Sequence, residues 1–195
     1  MATCGKQSKV NILGIEFDRV TLAHACSACL RWAVERRSNS GGGTRIGVTP
    51  KPERVMKARR DPLLREAIRG SDMALPDGVG VILASRMLGD PLPERVTGVD
   101  LMEELLKAAA KDASRVFFLG GRPGVAKRAA EKARERFGPI RVAGHYHGYF
   151  SQEEERSVVE MIRAAGPDFL FVGMGTPRQE IFMTANREAL GAGVA

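Results

Sequence analysis

Along this chain, short apolar runs repeatedly close on clusters of glycine, proline or polar residues and are followed by amphipathic helical patterns. That strand, turn, helix rhythm constrains the fold more than any other feature. Residues 10–17 read as a strand and 21–37 as a helix, with 38–43 a flexible polar loop. A short strand over 45–48 closes on Thr49-Pro50-Lys51-Pro52-Glu53, whose prolines end strand pairing and launch a helix. A further helix, 63–69, leads through Met73 and Ala74 to Leu75-Pro76-Asp77-Gly78-Val79-Gly80, after which a helix runs to about residue 89.

Asp100 reads as the N-cap of a helix over 101–111, with Glu103 in capping-box position. The strand 115–119 enters Gly120-Gly121-Arg122-Pro123-Gly124 ahead of a helix over 125–137. A strand over 140–143 precedes a helix capped by Ser151 with Glu154, reaching about residue 165. The strand 168–172 closes in Gly173-Met174-Gly175-Thr176 before a helix to residue 190, and 191–195 reads as the start of another strand. The pattern predicts an α/β fold, a doubly wound and mostly parallel sheet with helices on both faces, as one domain over residues 1–195. Ligands of such sheets bind outside the carboxyl ends of the strands, where the turns at Thr49, Asp77, Gly120 and Gly173 would gather.

Charge narrows the partners. The chain carries +7 with a pI near 9.7, which favours anionic partners such as nucleic acid, nucleotide phosphates or an anionic membrane surface. Aromatic residues make up only 6% and the single Trp is Trp32, so the stacking platform of a single-strand binder is missing and nucleic acid is discounted. Three cysteines give no disulfide framework and fit a reducing compartment. Cys26 and Cys29 are spaced as C-x-x-C but lie within a helical pattern, where they read as small residues on a packed face. Residues 1–9 lack the apolar core of a signal peptide and no run approaches a membrane span, which predicts a cytoplasmic chain with room for peripheral membrane contact.

Each candidate residue has a structural and a functional reading. Asp77 is either a helix N-cap or a catalytic carboxylate, held between rigid Pro76 and the flexible Gly78 and Gly80, which would let a ligand approach the backbone. The loop from Gly120 and Gly121 to Gly124 is either a tight βα turn or an anion cradle at a helix N-terminus suited to a diphosphate. It lacks full G-x-G-x-x-G spacing, and the next strand ends at Gly144-His145 without a ribose-binding acid, which weakens an NAD-dependent oxidoreductase. Gly173 and Gly175 allow close backbone approach, while Pro177 at the first helical position and Gln179 at the third would form a capping box. His145 and His147 could ligate a metal, but no third ligand and no Asp-x-Asp pair accompany them, so no metal site is expected. Arg95 is either a solvated loop residue or a guanidinium that neutralises a phosphate leaving group. Lys127, Arg128, Lys132, Arg134 and Arg136 read as a solvated helix face.

Taken together, Thr49-Pro50, Leu75-Pro76-Asp77-Gly78, Pro93-Glu94-Arg95-Val96-Thr97-Gly98, His147-Gly148-Tyr149-Phe150 and Gly175-Thr176-Pro177-Arg178-Gln179-Glu180 resemble the WecG/TagA/CpsF family of bacterial glycosyltransferases, in order and spacing across nearly the whole chain. The resemblance implies a Rossmann-like fold and an inverting transfer of an N-acetylmannosamine-type sugar from a UDP donor to undecaprenyl-diphosphate-linked GlcNAc, at the inner face of the cell membrane, in cell-surface polymer synthesis. By the same resemblance Asp77 matches the family's proposed base and Thr49, Arg95 and Gln179 match other active-site positions. Lys51, Gly78, Gly120, Gly121, His147, Gly148, Gly173 and Gly175 are expected to line the substrate site. No cofactor is implied, the UDP-sugar being a substrate, and homo-oligomers are allowed.

Two departures stand out. The family usually has Asn where this chain has Lys51. Its aromatic- and arginine-rich C-terminal appendage, implied to dock on the membrane and complete the site, is not found by residue 195, and a form lacking it is open to being inactive. The competing reading is a non-catalytic nucleotide-binding or regulatory α/β domain in which the Gly120 and Gly173 loops hold a nucleotide and Asp77 only caps.

Overall fold

The run 10–17 turns back on itself. In the computed structural model, which describes residues 8–38 and 42–195, β1 (Lys9–Ile12) and β2 (Ile15–Asp18) form an antiparallel hairpin rather than one strand. Leu13 and Gly14 both take positive φ, 53° and 87°. That conformation matches the right-handed twist of a two-residue hairpin. The apolar alternation changes phase there: Val10, Ile12, Ile15 and Phe17 are buried while Leu13 is exposed. Cys4, residues 1–7 and residues 39–41 of the expected polar loop lie outside the described residues.

The remaining elements follow as α1 (Leu22–Ser38), β3 (Gly47–Val48), α2 (Pro52–Ala58), α3 (Pro62–Arg69), β4 (Met73–Ala74), α4 (Val79–Met87) and α5 (Gly98–Asp112). Then come β5 (Arg115–Gly120), α6 (Val125–Phe137), β6 (Arg141–Tyr146), α7 (Gln152–Ala165), β7 (Phe169–Gly173) and α8 (Arg178–Ala185). Ser151 and Glu154 form the expected capping box on α7. Helix α5, however, starts three residues before the expected first residue, because Thr97 rather than Asp100 caps it, its hydroxyl accepting the Asp100 N–H at 3.0 Å. Asp100 sits instead in the first turn, where its charge still favours the helix dipole. Helix α8 stops at Ala185 rather than residue 190.

Apart from the β1 and β2 hairpin, the strand pairings described are parallel. β5 lies between β6 and β7, and β3 pairs with β4. Residues 193–195 join these two sheets: the Leu170 N–H donates to the Val194 carbonyl at 2.9 Å on one side, and the Gly47 N–H to the Ala195 carbonyl at 2.8 Å on the other. The spatial order is thus β6, β5, β7, the 193–195 segment, β3, β4. A parallel sheet must be covered on both faces, and it is. Along β5, Phe117 and Leu119 face a core shared with α2, α3, α7 and α8, while Val116 and Phe118 face one shared with α1, α5 and α6. The fold is α/β, as the sequence rhythm predicts, and Rossmann-like, as the family resemblance implies.

One buried carboxylate ties the amino end of this sheet together. Asp168 accepts the Arg115 N–H and the Arg37 Nε, both at 2.7 Å, and that hydrogen bond holds the Arg37 guanidinium pKa above its ordinary value. Removing it would orphan a backbone donor at the start of β5. Asp168→Ala is therefore expected to cost about 1–3 kcal/mol in a urea unfolding titration.

Candidate functional site

Parallel strands deliver their following loops to one edge. The loop after β3 carries Thr49 and Lys51, that after β4 carries Asp77 and that after β6 carries His147 and Gly148; Gly120 ends β5 with Gly121 just beyond it, and Gly173 ends β7 with Gly175 in the loop that follows. The loop preceding α5 joins them through the Val96 N–H, which donates to the Pro76 carbonyl at 3.1 Å and so sets Arg95 beside the Asp77 turn. Gly98 closes against Thr49, to which a β-carbon there would come within 3.2 Å.

Asp77 is buried, 7% exposed, yet it does not cap α4. Gly78 occupies the N-cap position at φ 119°, and among the described residues no side chain caps the first turn. The capping reading of Asp77 therefore fails for a geometric reason: the chain turns one residue later than a side-chain cap would need. Gly78 and Gly80 are small because Pro52 packs on them. A β-carbon at either would lie 2.9 or 2.8 Å from the Pro52 ring. The close approach that these glycines permit is thus made by α2 of the same chain.

The glycines after β5, β6 and β7 approach one another. The Gly121 N–H donates to the Gly173 carbonyl at 3.0 Å and the Gly148 N–H to the Gly121 carbonyl at 2.8 Å. A β-carbon on Gly120 would sit 2.3 Å from the Gly173 oxygen. This three-loop clasp uses the Gly121 donor that an anion would otherwise receive. Gly120, Gly121 and Gly173 also line a depression of about 280 Å³. His147 is stacked on Tyr146 with ring centroids 4.3 Å apart, and its Nδ1 accepts the Tyr149 N–H at 3.3 Å. Among the described residues, no three His, Cys, Asp or Glu side chains gather where they could hold a metal ion.

A cavity of about 140 Å³ opens where β3, β7, α5 and α8 meet, lined by Thr49, Gly98 and Gln179 over an apolar floor that includes Cys29, Leu105 and Met183. Asp77 and Arg95 do not line it, although Leu75, two residues before Asp77, does. Lys51 is exposed just ahead of α2. Gln179 is not part of a capping box. Pro177 rather than Thr176 is the N-cap of α8, and the Gln179 Oε1 reaches back to accept the Gly175 N–H at 3.1 Å.

Two residues that sequence reasoning did not single out join the loops around this cavity. Glu180, 2% exposed, accepts from the Thr176 hydroxyl at 3.0 Å and from the Gln179 Nε2 at 3.2 Å. Arg54 Nη1 stands 3.5 Å from the same carboxylate and donates to the Thr49 carbonyl at 3.2 Å. Glu180 closes the Gly175 to Glu180 motif, where it is assigned no role, and its charge also stands out within Glu180-Ile181-Phe182-Met183, a segment that is otherwise apolar.

Residues 10–195 match the profile of the glycosyl transferase WecG/TagA/CpsF family. This chain belongs to that family. An N-acetylglucosaminyldiphosphoundecaprenol N-acetyl-beta-D-mannosaminyltransferase of Staphylococcus aureus (strain NCTC 8325 / PS 47) is 36% identical over 173 residues, covering 89% of this chain and 66% of the relative. A protein of the same name from Bacillus spizizenii (strain ATCC 23059 / NRRL B-14472 / W23) is 36% identical over 148 residues, covering 76% of this chain and 57% of the relative. The chain thus spans, at most, about two thirds of the length of these family members.

Within this family member Cys29 is buried on the packed face of α1, with Cys26 half-buried beside it. Burial pushes the Cys29 thiol from 9.0 up to about 12, with Cys26 adding to the shift. Because the folded state holds this proton more tightly than the unfolded one, the contribution of Cys29 to stability is complete below pH 9.0 and is lost as pH rises toward 12. At pH 8, iodoacetamide is expected to leave Cys29 unmodified in the native protein and to alkylate it after denaturation, as read by peptide mass spectrometry.

Proposed function

We propose that this chain is an inverting, UDP-sugar-dependent hexosyltransferase that moves an N-acetylmannosamine-type sugar onto a polyprenyl-diphosphate-linked GlcNAc. The observation that carries the reading is Asp77: a largely buried carboxylate on the ligand-binding edge, in the motif that matches the family, with no capping duty to the helix behind it. The names of the relatives supply the acceptor and the transferred sugar.

In this reaction Asp77 takes the proton of the acceptor hydroxyl as its oxygen bonds to the anomeric carbon. The bond from that carbon to the donor diphosphate breaks on the opposite face, which inverts the centre. UDP leaves with the negative charge, and Arg95 neutralises it with a planar fork matched to phosphate oxygens. Lys51, exposed beside Thr49 and Pro50, adds a point charge where family members usually present an amide. Thr49 and Gln179 offer polar contacts to the donor at the cavity mouth, with no divalent cation required. A lipid-linked acceptor sets the work at the inner membrane face, where a net charge of +7 suits anionic lipid.

The test is a transfer assay with a panel of UDP-hexosamines and a short-chain polyprenyl-diphosphate GlcNAc, with product mass and anomeric coupling as readouts. An inverted product that forms equally well in EDTA is the expected result. UDP binding with no transfer from any donor sinks the reading in favour of a nucleotide-binding regulatory domain.

A further inference from the structure

Glu180 is the most deeply buried of the charged side chains described, and its Oε2 has no hydrogen-bond partner. An ionised carboxylate in such surroundings loses its hydration, and one guanidinium at 3.5 Å returns only part of that loss. Stability alone does not explain a Glu here, since apolar or amide residues of similar volume commonly replace buried ion pairs without loss. What distinguishes this carboxylate is the set of groups that it and Arg54 hold. All three lie at the carboxyl edge: the Thr49 carbonyl and the Thr176 hydroxyl in loops, and the Gln179 amide in the first turn of α8. Thr49 and Gln179 line the same cavity from different elements, one following β3 and the other at the start of α8. No direct hydrogen bond joins those two residues among the described contacts, and the Arg54 to Glu180 link spans the distance between them.

We propose that Arg54 and Glu180 form a positioning pair that sets the separation and orientation of Thr49 and Gln179 across the donor cavity, an inference that rests on the transferase reading above. Arg54 fixes the β3 loop through its carbonyl. Glu180 fixes the Gln179 amide so that its oxygen faces the Gly175 N–H and its nitrogen is held by the carboxylate. Neither side chain needs to touch substrate. Geometry at this edge matters because displacements of about 1 Å in a positioned group can cost on the order of 100-fold in rate.

The experiment compares Glu180→Gln and Arg54→Lys with the unaltered protein in three measurements: donor kcat and KM, thermal melting, and NMR amide exchange at Gly175. The pair predicts that Glu180→Gln lowers kcat by roughly tenfold or more with little change in melting, and speeds Gly175 exchange as Gln179 loses its tether. Arg54→Lys, which keeps the charge and loses the fork, is expected to lower kcat likewise, and the double variant to be no slower than the slower single one. Unchanged Gly175 exchange with unchanged kcat overturns the proposal, as does a loss of activity that merely tracks the unfolded fraction. Should Glu180→Gln fail to fold, Arg54→Lys carries the comparison. If the unaltered protein transfers no sugar, the transferase reading fails, and Gly175 exchange alone still decides whether the pair positions Gln179.

Discussion

Asp77→Asn is expected to lower kcat for sugar transfer by roughly 100- to 10,000-fold, the range that a positioned general base supplies. It should leave the fold intact. Asn has nearly the shape of Asp, and no α4 backbone donor depends on the carboxylate, since Gly78 is the N-cap and among the described residues no side chain closes the first turn. The near-isosteric exchange is therefore expected to leave the melting temperature close to that of the unaltered protein. The measurement pairs single-turnover rates with a thermal melt. Turnover within about threefold of the unaltered protein, with the melt unchanged, would remove Asp77 from the role of base.

Deleting residues 193–195 is expected to unfold the protein. Six backbone hydrogen bonds run through this segment: from Arg45 to Gly193, Gly47 to Ala195, Leu170 to Val194, Gly193 to Pro167, Val194 to Asp168 and Ala195 to Arg45. At about 0.5–1.5 kcal/mol each they contribute about 3–9 kcal/mol. Burial of Val194, 5% exposed, adds about 1.5–3 kcal/mol. The sum rivals the whole stability of an ordinary domain, about 5–15 kcal/mol. Far-ultraviolet circular dichroism with a urea titration would read it, and a cooperative transition at an unshifted midpoint would contradict this account of the sheet.

Local cues were legible where the physics is local. The bounds of α6 and the Ser151 and Glu154 box are set by residues within a turn or two of the helix end, and the sequence shows them plainly. The hairpin at Leu13 and Gly14 was harder, because a two-residue turn interrupts an apolar run too briefly to break its pattern. Thr97 and Asp100 are both good capping residues three positions apart, and only tertiary placement of the 95–98 loop chooses between them. Gly78 and Gly80 announced that something comes close to the backbone. Sequence could not say that the visitor is Pro52. The Arg54 to Glu180 pair was beyond reach, since the two residues come from distant elements and neither carries a local signature of pairing.

The 193–195 segment also bears on how such a chain is made. During synthesis β3 and β4 leave the ribosome early and β5 to β7 much later, yet among the described residues the two groups share no direct pairing and are joined through residues 193–195. Until those residues emerge, β3 and β7 each present an open edge, which is a template for pairing with other chains. Nascent chains halted short of residue 193 should therefore lean on chaperones and aggregate more readily than chains released beyond it.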